Sequence, residues 1–107
     1  MLKPYLMVRS VVSDAALRDK FDRWYSTEHL AWAIDVLQAE KAWRFWSKVD
    51  AGVHVAVYQF AEGRDVEAAL KSDGFKELAA DYDRTWPAGV ARTRDILQMV
   101  EERDATA

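Results

Sequence analysis

Residues 53–60 read VHVAVYQF, and neither face of a strand built from them suits water. Side chains alternate across a strand, so Val53, Val55 and Val57 share one face while His54, Ala56, Tyr58 and Phe60 share the other. An antiparallel strand with one wet face alternates apolar with polar residues, so this one must be covered on both sides. The preceding segment, residues 41–49 (KAWRFWSKV), is also a strand, with Trp43 and Phe45 opposite Arg44 and Trp46. Asp50-Ala51-Gly52 supplies the turn that joins the two into a hairpin.

The rest of the chain frames that hairpin. Residues 4–12 (PYLMVRSVV) read as a strand, and Ser13-Asp14 then caps a helix whose apolar stripe runs through Leu17, Phe21, Trp24 and Tyr25. Ser26-Thr27 interrupts the stripe and Leu30, Ile34 and Leu37 begin another, which predicts a break and restart near Thr27. After a loop at 61–64, two helical stripes divided by Gly74 run from Val66 to Trp86 and close at Pro87. Residues 96–100 (ILQMV) form a last strand, followed by a polar tail at 101–107 that is expected to fray. The order β-α-β-β-α-β predicts one α+β, ferredoxin-like domain over residues 1–107, a four-stranded antiparallel sheet with both helices on one face. The uncovered apolar face then calls for a second copy, a homodimer enclosing a cavity.

Composition removes several function classes. Fifteen Lys and Arg scattered among eighteen Asp and Glu, a net charge of −3, argue against nucleic-acid or anionic-membrane partners. The absence of Cys excludes thiol nucleophiles, thiolate metal sites and disulfides. Residues 1–12 are too short and too charged for a signal core or a membrane span, so a cytoplasmic location is expected. No G-x-G-x-x-G, Walker or G-x-S-x-G motif occurs, and His29 and His54 have no ligand-like spacing, so neither cofactor nor metal is expected.

Phe21, Trp24, Tyr25 and His29 fit an F-x-x-W-Y-x-x-x-H pattern, and Tyr58 and Phe60 fit the end of a Y-x-x-x-Y-x-F/L pattern in the third strand. In these residues the chain resembles the dimeric α/β-barrel superfamily, and within it the EthD and ABM-like families. His54 departs from the pattern, standing where it has Tyr. The resemblance implies two ferredoxin-like subunits paired sheet to sheet, with a pocket in each between sheet and helices. It covers cofactor-free monooxygenases, polyketide cyclases, lactone isomerases, dehydratases and haem enzymes, so it limits chemistry weakly.

His29 is the leading catalytic candidate. A helix starting near Thr27 would lower its pKa through the N-terminal dipole and keep the ring neutral; a continuous helix would instead set Asp22, Tyr25 and His29 on one stripe. Glu28 falls on the projected apolar stripe, where a carboxylate must be paired unless the helix has ended and turned it to solvent. Trp24, Trp43, Trp46 and Trp86 are expected to wall a pocket for flat apolar ligands, with His54 and Tyr82 as further contacts. The expected activity is cofactor-independent proton transfer of cyclase, isomerase, lyase or dehydratase type on a hydrophobic, aromatic or polyketide-like molecule. His29 would be the base, oriented by Asp22 or Glu28, while Tyr25, Tyr58 or Arg44 would stabilise an enolate. The alternatives are a cofactor-free monooxygenase and a non-catalytic binding module.

Overall fold

Strand β1 (Pro4–Val12) lies inside a four-stranded sheet of order β2-β3-β1-β4, formed with β2 (Lys41–Trp46), β3 (Val53–Gln59) and β4 (Val90–Gln98), every neighbouring pair antiparallel. The computed structural model describes residues 2–106; Met1 and Ala107, the ends of the expected domain and tail, lie outside the described residues. The register sets Leu6 between Tyr58 and Ile96, Val8 between Ala56 and Arg94, and Ser10 between His54 and Arg92. These side chains, with Arg44 and Trp46 of β2, make up the face beneath the helices. The fold is the α+β, ferredoxin-like one that the order of elements predicts.

Asp14 Oδ1 accepts the Ala16 N–H at 2.9 Å and caps a 3₁₀ turn (Ala15–Leu17) that leads into α1 (Arg18–Trp24). The helix does not break at Thr27. It widens into a π-helical turn (Tyr25–His29), closed by the Leu30 N–H on the Tyr25 carbonyl, and continues as α2 (Leu30–Leu37) to a left-handed Gln38. Thr27 does not start a helix; its hydroxyl donates back to the Arg23 carbonyl at 2.8 Å.

Three other boundaries differ from the sequence expectation. Strand β2 stops at Trp46, because the Ser47 hydroxyl accepts the Val49 and Asp50 N–H groups and turns the chain early. The second helical region divides at Ser72, which caps α4 (Asp73–Thr85) by accepting the Phe75 N–H, after the short α3 (Val66–Leu70). Gly74 lies in the first turn of α4, where a Cβ would stand 3.3 Å from Val36, so the glycine serves close helix approach. Strand β4 starts six residues before the expected Ile96 and ends before Met99; an edge strand exposed along most of its length tolerates the polar run VARTRD. Residues 101–106 are exposed and irregular. No helix among the described residues is long and apolar enough to cross a membrane.

Phe21 is fully buried at the centre, with Tyr25, Trp86 and His54 at 5.3–5.4 Å between ring centroids and Trp24, Trp46 and Tyr82 at 6.0–6.2 Å. Among the described residues no helix covers the opposite sheet face, where Trp43 (37% exposed), Phe45 (53%) and Leu97 (40%) flank Met7, Val55 and Val57. Truncation of the central ring leaves a cavity that six aromatic neighbours cannot fill. Phe21→Ala is expected to lower the unfolding free energy by about 3–5 kcal/mol, read as a fall in the urea midpoint with m unchanged.

Candidate functional site

A cavity lies between β1, β3 and β4 below and the π turn, α2 and α4 above. Apolar side chains, among them Leu6, Val8, Ala33 and Phe75, form most of its wall, and four polar ones reach it: Tyr25, His29, Tyr58 and Arg92. The enclosed space is about 20 Å³, room for roughly one water, at the bottom of a recess of about 310 Å³ that counts space open to solvent. The smaller value is what fits without movement, so anything as large as a ring system would need the walls to separate.

His29 hangs from the π turn and stacks on Trp24 at 4.5 Å and 24°. Its Nδ1 is buried without a hydrogen-bond partner, as is Tyr25 Oη. Burial first, then the charge of Arg92 and the proximity of His54, lower the His29 pKa to about 4. The neutral ring expected at pH 7 is therefore present, but its cause is not a helix N-terminus, since the helix is continuous. Burial also raises both phenols, Tyr58 to about 12 and Tyr25 well above 10, and the neighbouring Tyr58 raises Tyr25 further. Both stay protonated and can donate.

The carboxylates expected to orient His29 are elsewhere. Glu28 is exposed on the outer side of the turn. Asp22 Oδ1 accepts the Trp46 indole N–H at 2.7 Å and Arg44 Nη2 at 2.6 Å, and these bonds, the indole's first, hold its pKa below the usual value. Arg44 also donates Nε to His54 Nε2 at 3.1 Å and lies 5.3 Å from the Tyr25 ring. The accepting Nε2 places the His54 proton on Nδ1, which is buried without a partner. Burial and Arg44 lower the His54 pKa to about 4. Asp22, Arg44, Trp46 and His54 thus form a polar cluster behind Tyr25, outside the cavity wall, so Arg44 is not placed to meet an enolate.

The indoles do not wall the cavity. Trp24 backs His29, Trp86 packs on Phe21 and Trp24, and Trp43 points from the opposite sheet face. Tyr82 is tied to Ser10 at 2.8 Å and supports Arg92, whose guanidinium lies 4.0 Å from its ring centre. Arg92 is the polar wall residue that the expected strand at 96–100 hides. Its signal is the alternation Val90, Arg92, Arg94, Ile96 on one face of a longer strand.

This architecture matches solved structures along almost its whole length. SnoaB, a cofactor-independent oxygenase from Streptomyces nogalater, superposes with a TM-score of 0.69 at 13% identity, covering 94% of this chain and 95% of that one. The chain has the ferredoxin-like fold that such structures share. An EthD-family protein from Bacillus halodurans (TM-score 0.61, 10% identity, 89% and 97% covered) and a dimeric ferredoxin-like protein from an uncultured marine organism (0.56, 16%, 96% and 100%) share it. No protein-family model and no curated protein matches the sequence. At such identities the likeness establishes the fold and leaves the chemistry to the site.

Both histidines bind fewer protons folded than unfolded between pH 6.5 and 4, so their contribution to stability is complete above about 6.5 and lost as pH falls toward 4. A shift from 6.5 to about 4 corresponds to about 3 kcal/mol for each ring at full loss. Urea midpoints should decline across that window, and both imidazoles should keep neutral NMR shifts to near pH 4. A ring titrating near 6.5 would contradict its burial.

Proposed function

We propose that this chain is a cofactor-independent enzyme that takes a proton from carbon on a hydrophobic, aromatic or polyketide-like molecule, working as a homodimer. The observation that carries the reading is the pair of buried, unpartnered atoms, His29 Nδ1 and Tyr25 Oη, on side chains of one apolar cavity. Among the described residues His54 Nδ1 and Trp86 Nε1 are buried without a partner too, but neither residue lines the cavity; His29 and Tyr25 alone combine an open valence with a place on its wall.

Neutral His29 accepts the proton as the C–H bond breaks, and the electron pair moves onto the adjoining carbonyl oxygen. With its pKa lowered to about 4 the ring is a weak base in the closed site, but negative charge growing on the substrate raises that pKa, so the base strengthens toward the transition state. Tyr25 and Tyr58 donate to the developing oxyanion, and the apolar wall excludes water. Reprotonation at another atom gives an isomerase, and loss of a β-hydroxyl a dehydratase. Likeness to SnoaB supports keeping the oxygenase variant, in which dioxygen takes up the carbanion's electron pair.

The second copy is supported by the apolar sheet face and by the dimeric neighbour. A compact monomer of this mass exposes about 6,000 Å². This chain exposes 6991 Å², part of the excess lying in residues 101–106. Sedimentation equilibrium should give twice the chain mass at micromolar concentration, and Val57→Asp should abolish association; a wild-type monomer there would refute the dimer.

His29→Ala should cut turnover of an enolisable naphthol or related aromatic by about 10²–10⁴ while leaving its Kd unchanged. Assays with and without dioxygen separate the oxygenase from the isomerase. Equal turnover in wild type and variant would remove His29 as base, and saturable binding without any reaction would favour a binding module.

A further inference from the structure

The inner face of β4 carries positive charge where an apolar side chain would pack. Arg92, only 15% exposed, lines the cavity, and Arg94, two residues on, faces the same way with its guanidinium 5.0 Å from the ring of Phe75, a wall residue. Arg92 is held by a fixed support, since Tyr82 beneath it is buried and tied to Ser10. Among the described residues its one hydrogen bond runs from Nη2 to Asp83 Oδ1 at 3.2 Å, and Asp83 is 70% exposed. A pair so open to solvent contributes little and does not explain a guanidinium on a cavity wall. The rest of its donor fork is available, and a planar fork matches the two oxygens of a carboxylate. The helices leave the outer end of β4 open beside Arg94, which gives a charged group a route to the wall.

We infer that the molecule this cavity takes is an aromatic acid, a flat apolar body whose ionised carboxylate pairs with Arg92 and has Arg94 beside it. This rests on the reading of the cavity as a ligand site and adds the charge of the ligand. An anion there relieves the crowding of Arg92 against Arg94 and offsets the charge that burdens His29, so binding itself makes the base stronger.

The test compares 2-naphthoate with its neutral isostere 2-naphthamide by calorimetry on the full chain. Wild type should bind the acid about tenfold or more tightly. Arg92→Met, which keeps the stem, should remove that gap by weakening the acid and leaving the amide unchanged, while Arg92→Lys should restore part of it. The His29 ring should titrate above its free value with naphthoate bound and not with naphthamide. Equal affinities in wild type, or a gap that survives Arg92→Met, would overturn the inference. Binding of neither probe would overturn it together with the cavity reading, whereas charge preference without turnover leaves it standing and counts only against the enzyme.

Discussion

One hydrogen bond of unusual span, from the Leu30 N–H to the Tyr25 carbonyl, decides which side chains the first helical region can bury. Phe21, Tyr25, His29, Ala33 and Leu37 are all buried and follow one another at intervals of four. An α-helix turns about 100° per residue, so positions four apart drift by about 40° a step, about 160° over this run, and would leave the sheet. A wider turn in the middle takes back part of the drift. The π turn thus keeps Tyr25 and His29 over the sheet in one helical unit, and Thr27 helps it persist by satisfying the Arg23 carbonyl.

Behind that turn an ion pair sits at the edge of the core, with the Asp22 side chain half exposed, so the cost of burying charge falls mainly on Arg44. Arg44 is only partly withdrawn from water, and its fork meets three acceptors: the Asp22 carboxylate, the Asp22 carbonyl and His54 Nε2. The third explains the departure at position 54 in physical terms. A neutral imidazole on β3 offers a bare nitrogen to the neighbouring strand, whereas a phenol there would bring a hydroxyl proton with it. Arg44, so held, packs against Tyr25 and fixes the ring whose hydroxyl group reaches toward the cavity.

Period-two alternation made the hairpin and its two faces legible, including the separation of Trp43 and Phe45 from Arg44 and Trp46, and the order of elements followed. The grouping of Trp43 with pocket residues ignored that same alternation. The irregularity near Thr27 was visible in its poor helix formers, but a broken helix and a widened one share that signature, and only backbone hydrogen bonding separates them. The beginning of β4 was hidden because an edge strand exposed along most of its length, with arginines on its inner face, loses the hydrophobic pattern that marks strands, and Arg92 was hidden with it. Asp22 was legible as a carboxylate near aromatic residues; its partner was not, because Arg44 is distant in sequence and close only through the sheet.

The two faces of β3 tie assembly to the site. Val55 and Val57 look outward, while His54, Ala56 and Tyr58, between and beside them, look toward the helices, all on one backbone ladder to β1. In the proposed homodimer a second copy seated on the valines would press on the strand that carries Tyr58 and the acceptor for Arg44. Strands are stiff along their ladders, so what braces the outer face limits how far Tyr58 can withdraw when the cavity widens. On that reading widening falls to the other wall, the helices, where Phe75 and Leu78 of α4 line the cavity and Gly74 brings α4 close to α2. Arg92 sits where that wall meets the exposed strand, on the side that the same reading leaves free to move.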